Sequence, residues 1–287
     1  MALYAFDGTW NTDKPGTARD TNVIWFRDAY GKNSEYLTGI GTRFSKVGAV
    51  LGGVFGAGGR PRVKDMIKKF DKRHQDGDPV DVIGFSRGAA LALDFVNKLA
   101  KHAPTARVRF LGLWDVVPAF GLSVIPWDPT WKLDLPETVD NCVHAMALDE
   151  RRPDFQLKRP KPTKVAQLTE VWFRGVHSDV GGGNQNGARS SIALEWMFAQ
   201  AGQCGVTNLD PKVRSKNMER MDEKIEISQH AKFWLELGNR NVNRGDLVHE
   251  SVLQRLASKD RKYVPLSGLN LSVVDDLDNV VGTIDPA

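Results

Sequence analysis

A serine between two glycines is the feature of this sequence best suited to covalent chemistry. Residues 84–88 read Gly-Phe-Ser-Arg-Gly, the apolar β-branched run 80–83 before them predicts a buried strand, and 89–100 after them predicts a helix. A strand, a G-x-S-x-G turn and a helix together predict a nucleophile elbow, which projects the serine hydroxyl from the top of a sheet. The two glycines lack β-carbons that would collide with the crossing strand and helix. Ser86 is therefore the candidate nucleophile.

An acid is expected after the nucleophile, because α/β-hydrolases carry their triad in the order serine, acid, histidine. Asp115 directly follows a second apolar strand candidate, 108–114. Catalytic groups of open α/β sheets gather at the carboxyl ends of strands, which favours Asp115. The competing aspartates lie in irregular or proline-flanked sequence; they are Asp128, Asp134 and Asp140.

A histidine base is expected after the acid. His177 ends a third apolar segment, 168–176, and precedes the glycine loop 181–183, which would let the backbone fold back toward Ser86. His249 is the main rival, because the last strand of a hydrolase sheet often precedes the histidine. His144 lies in 142–148, whose apolar spacing predicts a packed helix.

Backbone N–H groups near the nucleophile are expected to stabilise an oxyanion. The N–H of Arg87 stands at a predicted helix N-terminus, where it can donate to developing negative charge. In hydrolases a second donor comes from a loop after an early strand, and Gly8 or Thr9 occupies that place here.

A metal-dependent hydrolase is the alternative chemistry. Asp7 and Asp179, together with His177, offer carboxylates and an imidazole that suit a divalent cation. The sequence has no HExxH motif and no dense carboxylate cluster, and a metal-dependent mechanism would give Ser86 no catalytic role. We predict neither a catalytic metal nor another cofactor.

The elements that must position these groups alternate along the chain, which predicts an α/β fold with a mostly parallel sheet and helices on both faces. Strands are predicted near 2–6, 80–84, 108–114 and 169–176, and helices near 20–30, 61–74, 88–101, 189–203 and 245–257. Residues 1–287 are expected to form a single domain with proline-rich insertions near 118–140 and 153–165. Residues 205–245 are polar and remain unassigned.

Composition narrows the class of protein. A chain of 287 residues with 41% hydrophobic residues and a net charge of +4 is typical of a globular domain. Zinc-finger spacing and RNA-binding aromatic motifs are missing from the sequence, so no nucleic-acid partner is expected. Two cysteines do not form a disulfide framework. Without a secretory leader or a 20-residue apolar span, the expected location is the cytoplasm of the producing cell, with leaderless export open.

Three segments suggest contact with lipid. The glycine-rich stretch 48–59 is either a flap over a lipid site or a packed turn. Trp127 and Trp131 lie in a proline-rich loop and are candidates to line an acyl pocket. The basic cluster 158–164 is a solvated loop or a weak contact for anionic headgroups. The sequence does not indicate an oligomeric state.

Several blocks, in this order, resemble one known family. They are Phe-Asp-Gly-Thr-Trp-Asn at 6–11, Gly-Ile-Gly-Thr at 39–42, Gly-Phe-Ser-Arg-Gly-Ala at 84–89, Trp-Asp at 114–115, His-Ala at 144–145 with Leu-Asp-Glu-Arg-Arg at 148–152, and the run 172–183 with its Val-His-Ser-Asp-Val-Gly-Gly-Gly. The resemblance is to the α/β-hydrolase domain of the first family of type VI secretion lipase effectors. It runs from about Leu3 to about Leu256.

This resemblance implies an α/β-hydrolase fold and a serine esterase that acts on lipid carboxyl esters. In that family the serine, aspartate and histidine of the matching blocks form the triad, which corresponds to Ser86, Asp115 and His177. The effectors are phospholipases with an additional membrane-anchoring module, for which this chain has little room. The expected partner is a lipid or small ester substrate. A hydrolase-fold protein that binds without catalysis is the remaining alternative.

Overall fold

The computed structural model describes residues 1–8, 20–39, 54–118, 132–184, 187–221, 240–253 and 269–284. Its strands are β1 (Ala2–Phe6), β2 (Ser34–Leu37), β3 (Val80–Phe85), β4 (Val108–Trp114), β5 (Val139–Ala147), β6 (Gln167–Phe173), β7 (Leu247–His249), β8 (Leu271–Val274) and β9 (Val280–Ile284). Its α-helices are α1 (Asn22–Tyr30), α2 (Val54–Arg73), α3 (Arg87–His102), α4 (His177–Gly181), α5 (Ala188–Gln203) and α6 (Pro211–Met221).

The described strands form one sheet in the order β2-β1-β3-β4-β5-β6-β7-β8-β9. All neighbouring pairs are parallel from β2 to β8, and only β9 runs antiparallel to its neighbour. Because the parallel strands end at the same edge, the residues that follow β1, β3, β4, β5 and β6 come together there. Asp7, Ser86 and Asp115 each follow directly after one of these strands.

Apolar side chains alternate between the two faces of the central strands. In β1, Tyr4 and Phe6 pack in a cluster with α2 and α3, whereas Leu3 and Ala5 pack in a second cluster with α1 and α5. The period of two follows from the pleat of a strand, and burial of both faces explains why these strands read as continuous apolar runs. The mostly parallel α/β sheet predicted from the sequence is therefore confirmed.

Two helix predictions are wrong. His144 lies in strand β5, not in a helix, because a strand buried on both faces has an apolar spacing that periodicity alone does not separate from a helix. The helix expected near 245–257 is, in its described part, strand β7 followed by a 3₁₀ turn at Glu250–Val252. β7 lies between two other strands, and this pairing overrides the local pattern.

Other elements were not predicted or were placed approximately. The predicted strand 169–176 ends early, at Phe173, and His177 begins the short helix α4 instead of ending the strand. Strands β2, β8 and β9 and helix α6 had no sequence prediction. In the described part of the chain, no helix has the length and apolarity needed to span a membrane. That 1–287 is a single domain with two insertions stays a prediction.

Candidate active site

Ser86 lies in a strained turn between β3 and α3. Its backbone angles are φ 60° and ψ −128°, a conformation that non-glycine residues rarely adopt and that costs about 1–3 kcal/mol. The turn is held from both sides, since the Ser86 N–H donates to the Trp114 carbonyl (3.0 Å) and its carbonyl accepts from the Val117 N–H (3.3 Å). These bonds place the serine beside the two residues between Trp114 and Val117, the first of which is Asp115.

The two glycines of the elbow are required by close backbone contacts. A β-carbon on Gly84 would lie 2.6 Å from the Cα of Ala89 in the crossing helix. One on Gly88 would lie 2.3 Å from the carbonyl oxygen of Phe6, at the end of the crossing strand. The predicted steric reason for the G-x-S-x-G spacing is therefore confirmed.

Asp115 is fully buried at the end of β4, and it too has a positive φ, of 41°. Its Oδ2 accepts a hydrogen bond from His177 Nδ1 at 2.6 Å, and its Oδ1 accepts from the Ala147 N–H at 2.8 Å. The guanidinium of Arg240 contacts both carboxylate oxygens. Every lone-pair direction of this carboxylate is thus occupied by a donor, which fixes its orientation.

His177 is held at the N-terminus of α4. Its backbone N–H donates to Glu150 Oε2 (3.1 Å), and its ring lies between Phe85 and Phe155, with ring centres 4.6 and 4.8 Å away. Because an ionised Asp115 can only accept, Nδ1 carries the hydrogen and Nε2 of the neutral ring is an acceptor. Within the described residues, neither Nε2 nor the Ser86 hydroxyl has a hydrogen-bond partner.

Charges around the pair set both protonation states. Burial raises the pKa of Asp115, but Arg240 and the hydrogen bond from His177 outweigh it, so this pKa lies well below its usual range. Burial lowers the pKa of His177, Asp115 raises it, and Arg240 lowers it again. The net pKa lies below 6.5, so the ring is neutral at neutral pH and can accept a proton.

Sequence reasoning missed three side chains that contact this pair. Arg240 lies in the unassigned polar stretch 205–245 and belongs to no motif, so no local signal indicated it. Glu150 was visible only as part of the Leu-Asp-Glu-Arg-Arg block at 148–152. Phe155 lies in a 3₁₀ turn, Pro153–Phe155, inside a predicted insertion. Each contact is tertiary and joins segments far apart in the chain.

The predicted oxyanion donors are only partly described. Gly8 lies at the end of β1, beside the crossing of α3, but its N–H donates to Asp7 Oδ1 at 2.6 Å. Thr9 lies outside the described residues. Arg87 begins α3 directly after Ser86, as predicted. The roles of these three residues stay predictions.

The carboxylates of the metal alternative have other partners. Asp7 accepts from the hydroxyls of Thr21 (2.9 Å) and Tyr36 (2.6 Å), and Asp179 accepts from Asn184 (2.8 Å) and Arg189 (3.0 Å). Among the described residues, no three His, Cys, Asp or Glu side chains form a group that could hold a metal ion. Asp7 ties β1 to the start of α1, and Asp179 ties α4 to α5.

The rival residues make other contacts. His249 Nε2 donates to Asp276 Oδ1 at 3.1 Å, and its Nδ1 accepts from the Ser251 hydroxyl at 2.9 Å. Asp140 pairs with Arg107, and Asp134 accepts from the Lys161 N–H at 3.1 Å. Asp128 lies outside the described residues.

The segments predicted to contact lipid are described in part. Trp127, Trp131 and residues 48–53 lie outside the described residues, and 54–59 belong to the start of α2. In the basic cluster 158–164, Arg159 is engaged by Glu170 and Asp246, whereas Lys161 and Lys164 are exposed. Contact of this cluster with lipid headgroups stays a prediction.

The sequence matches the model of one protein family, described as "T6SS, Phospholipase effector Tle1-like, catalytic domain", over residues 3–102 and 92–200. No curated protein matches this chain.

Solved structures with a similar fold include an uncharacterized protein from Pseudomonas aeruginosa, with TM-score 0.54 and 22% identity over 79% of this chain and 51% of that one. A Tle1 effector bound to the VgrG spike of the type 6 secretion system has TM-score 0.45 and 22% identity over 63% of this chain and 51% of that one. RedJ with a PEG molecule in its active site has TM-score 0.40 and 12% identity over 69% and 92%. The chain spans about half the length of the first two proteins.

Proposed function

We propose that this chain, which belongs to the family of Tle1-like phospholipase effectors of the type VI secretion system and matches their catalytic domain, is a serine esterase acting on carboxyl esters of phospholipids. The observation that carries the proposal is the strained Ser86 turn beside the buried Asp115–His177 pair. A strained serine turn next to an imidazole whose second nitrogen has no hydrogen-bond partner among the described residues is the arrangement that nucleophilic catalysis requires.

In the proposed acylation, Ser86 Oγ attacks the ester carbonyl carbon while its proton passes to His177 Nε2. Asp115 holds the ring through Nδ1 and stabilises its positive charge. The tetrahedral intermediate then collapses, the bond to the leaving oxygen breaks, and His177 returns the proton to the departing alcohol. A water molecule repeats the sequence on the acyl-enzyme, which releases the fatty acid and restores Ser86.

The oxyanion donors in this mechanism are the N–H of Arg87 and that of Gly8 or Thr9. An N–H at the start of a helix favours developing negative charge. For Gly8 to serve, its N–H must exchange the Asp7 carboxylate for the substrate oxygen.

A cation next to the catalytic pair supports an anionic lipid as the substrate. The Arg152 guanidinium lies 3.7 Å from the centre of the Phe155 ring, and that ring contacts His177 edge-on. Two of its nitrogens pair with Glu150, and within the described residues Nη1 has no hydrogen-bond partner. The side chain is 29% exposed. A guanidinium suits a phosphate, which in a glycerophospholipid lies a few bonds from the ester.

Arg152→Gln should therefore slow phospholipid hydrolysis about tenfold more than hydrolysis of a neutral p-nitrophenyl ester, because only the phospholipid presents a phosphate. Fatty-acid release from anionic vesicles and p-nitrophenyl butyrate turnover measure the two rates. Arg152→Lys keeps the charge and should recover part of the difference. Equal losses on both substrates would contradict headgroup recognition and assign Arg152 to holding Glu150.

Ser86→Ala tests the proposed function itself. We expect a loss of about 10³-fold or more in esterase turnover with an unchanged melting temperature, since the remaining oxyanion donors catalyse only weakly alone. The assay is release of fatty acid and of p-nitrophenol by purified protein. Wild-type activity in the mutant would exclude the serine mechanism, and an inactive wild type would favour a non-catalytic binding protein.

A further inference from the structure

Arg240 makes the most extensive contact with the acid of the proposed triad. Its side chain is only 7% exposed and approaches Asp115 with both arms, Nη1 on Oδ1 and Nη2 on Oδ2, the latter at 2.9 Å. The same two nitrogens donate to the carbonyl oxygens of Ala147 and Phe155, each at 2.8 Å. The guanidinium thus joins the end of β4 to the end of β5 and to the turn whose ring packs on His177.

This contact changes the electrostatics that an acid–histidine pair has by itself. In a Ser-His-Asp site the uncompensated negative charge of the acid supports the protonated ring. Here Asp115 already faces a full positive charge before His177 gains a proton. The other charged groups packed against His177 are Glu150, which accepts from its backbone N–H, and Arg152, which pairs with Glu150 behind the Phe155 ring. On its own helix, Asp179 is paired with Arg189.

We propose that Arg240 is a positioning residue of the active site, which fixes the Asp115 carboxylate and keeps His177 neutral so that Nε2 is available to Ser86. The inference rests on the proposed function. Two consequences separate the roles of shape and charge. Loss of the two-pronged contact between the Arg240 guanidinium and the Asp115 carboxylate (the fork) should let Asp115 move and lower kcat. Loss of the positive charge should make protonation of His177 easier and move the acid limb of the activity profile to higher pH. The direction agrees with the lowered pKa of His177, to which Arg240 contributes.

A matched control exists at the opposite edge of the sheet. Arg109 also binds a fully buried aspartate with two nitrogens, at 3.0 and 2.6 Å from Asp81, and its third nitrogen donates to the Gly205 carbonyl at 2.7 Å. Asp81 lies near the start of β3, far along the strand from Ser86. Substitution of Arg109 breaks a similar ion pair without touching the proposed catalytic groups.

The kinetic test compares Arg240→Gln, Arg240→Lys and Arg109→Gln on p-nitrophenyl butyrate across pH, with product separated by chromatography. Arg240→Gln should lower kcat about 10- to 100-fold, change KM less than about threefold, and raise the acid midpoint of kcat/KM. Arg240→Lys keeps the charge but not the fork, so kcat should fall while the midpoint stays near that of the wild type. Arg109→Gln should lower only the melting temperature. A folded Arg240→Gln protein with wild-type kcat and midpoint would overturn the proposal.

Chemical rescue adds a readout that a structural role would not move. Guanidinium chloride at about tens of millimolar should restore part of the kcat of Arg240→Ala in a saturable manner, because the ion can occupy the space between Asp115 and the two carbonyls. Sodium chloride at equal ionic strength should not restore kcat in Arg240→Ala, and guanidinium chloride should not raise kcat in Arg109→Ala. The absence of rescue in a folded Arg240→Ala protein whose kcat is reduced would contradict positioning by the guanidinium.

Titration of the His177 ring by NMR needs no substrate and keeps the two proposals distinguishable. His177→Gln identifies the signal. The wild-type midpoint should lie below the ordinary value of 6.5 and should rise in Arg240→Gln. If Ser86→Ala leaves activity unchanged, the proposed function fails while this titration still tests Arg240. A wild-type midpoint above 6.5 overturns the proposal even if no Arg240 variant folds.

Discussion

Two buried histidine–carboxylate pairs differ in whether the second ring nitrogen has a hydrogen-bond partner. His177 meets Asp115 through Nδ1 at 2.6 Å, and His144 meets Glu170 through Nδ1 at 3.0 Å. Both rings are buried. The Nε2 of His144, however, accepts the backbone N–H of Val116 at 3.3 Å, whereas that of His177 has no partner among the described residues. A buried histidine–carboxylate pair is therefore not by itself a sign of catalysis, and the second nitrogen without a partner is what makes His177 the candidate base.

His249 extends the comparison, because it contacts both a serine and an aspartate. Its Nδ1 accepts the Ser251 N–H at 3.2 Å and so caps a 3₁₀ turn, while Nε2 faces Asp276. Both nitrogens are used to hold the end of β7, and Ser251 is only two residues away. Of these three histidines, only His177 combines a carboxylate partner, a second nitrogen without a partner among the described residues and a strained serine turn nearby.

The largest difference in activity is expected between substitution of His177 and substitution of His249. His177→Ala should lower kcat by about 10³-fold or more, because the members of the proposed triad would act as a unit. His249→Ala should cost about 1 kcal/mol for each lost hydrogen bond and leave turnover within a few-fold. Kinetics and thermal melts on both proteins measure this. An inactive, fully stable His249 mutant beside an active His177 mutant would reverse the assignment.

A smaller effect is expected from Glu150, which holds the backbone of His177 but not its ring. Burial raises the pKa of this carboxyl, but Arg152 and the backbone N–H groups lower it by more. The net pKa is about 2, against an ordinary value of 4.5. A depressed pKa contributes stability that is present above 4.5 and is lost as the pH falls toward 2. The difference in unfolding free energy between the wild type and Glu150→Gln should shrink by about 2 kcal/mol from about pH 6 to about pH 3.

Urea unfolding across this pH range is the measurement, with Glu219→Gln on the exposed face of α6 as the control. The free energy of unfolding of Glu219→Gln should differ from that of the wild type by the same amount at every pH. A difference in unfolding free energy between the wild type and Glu150→Gln that does not change with pH would mean that ionisation of the Glu150 carboxyl does not stabilise the fold.

The smallest effect on activity should come from His144→Leu. This change leaves the Val116 N–H without its acceptor and should destabilise the protein by about 1–3 kcal/mol. Turnover per folded molecule should change only a few-fold, because the Glu170 pair is structural. A loss of kcat comparable to that of His177→Ala, at an unchanged melting temperature, would assign His144 a catalytic role and contradict the distinction between the two histidines.

The sequence could predict the parts of the site that depend on local structure. The elbow was readable because a β-branched strand, two glycines and a helix adjoin one another within 80–100. Asp115 was readable as the residue after an apolar strand. The parallel α/β sheet followed from alternating elements, although β5 was mistaken for a helix since burial on both faces hides the period of two.

The parts that depend on tertiary contacts could not be predicted. Arg240 is 125 residues from Asp115 in the chain, and no spacing rule relates them. The contacts of His144 with Val116 and of His249 with Asp276 appear only when the strands are in register. Sequence reasoning therefore found the candidate catalytic groups but not the contacts that separate one histidine from the others.

Covalent labelling with a fluorophosphonate, followed by peptide mass spectrometry, shows directly whether Ser86 is the nucleophile. The proposed mechanism predicts one rapid adduct, on Ser86, which is absent in Ser86→Ala and strongly slowed in His177→Ala but not in His144→Leu or His249→Ala. An adduct on Ser251, or esterase activity in a protein that carries no adduct on Ser86, would contradict it.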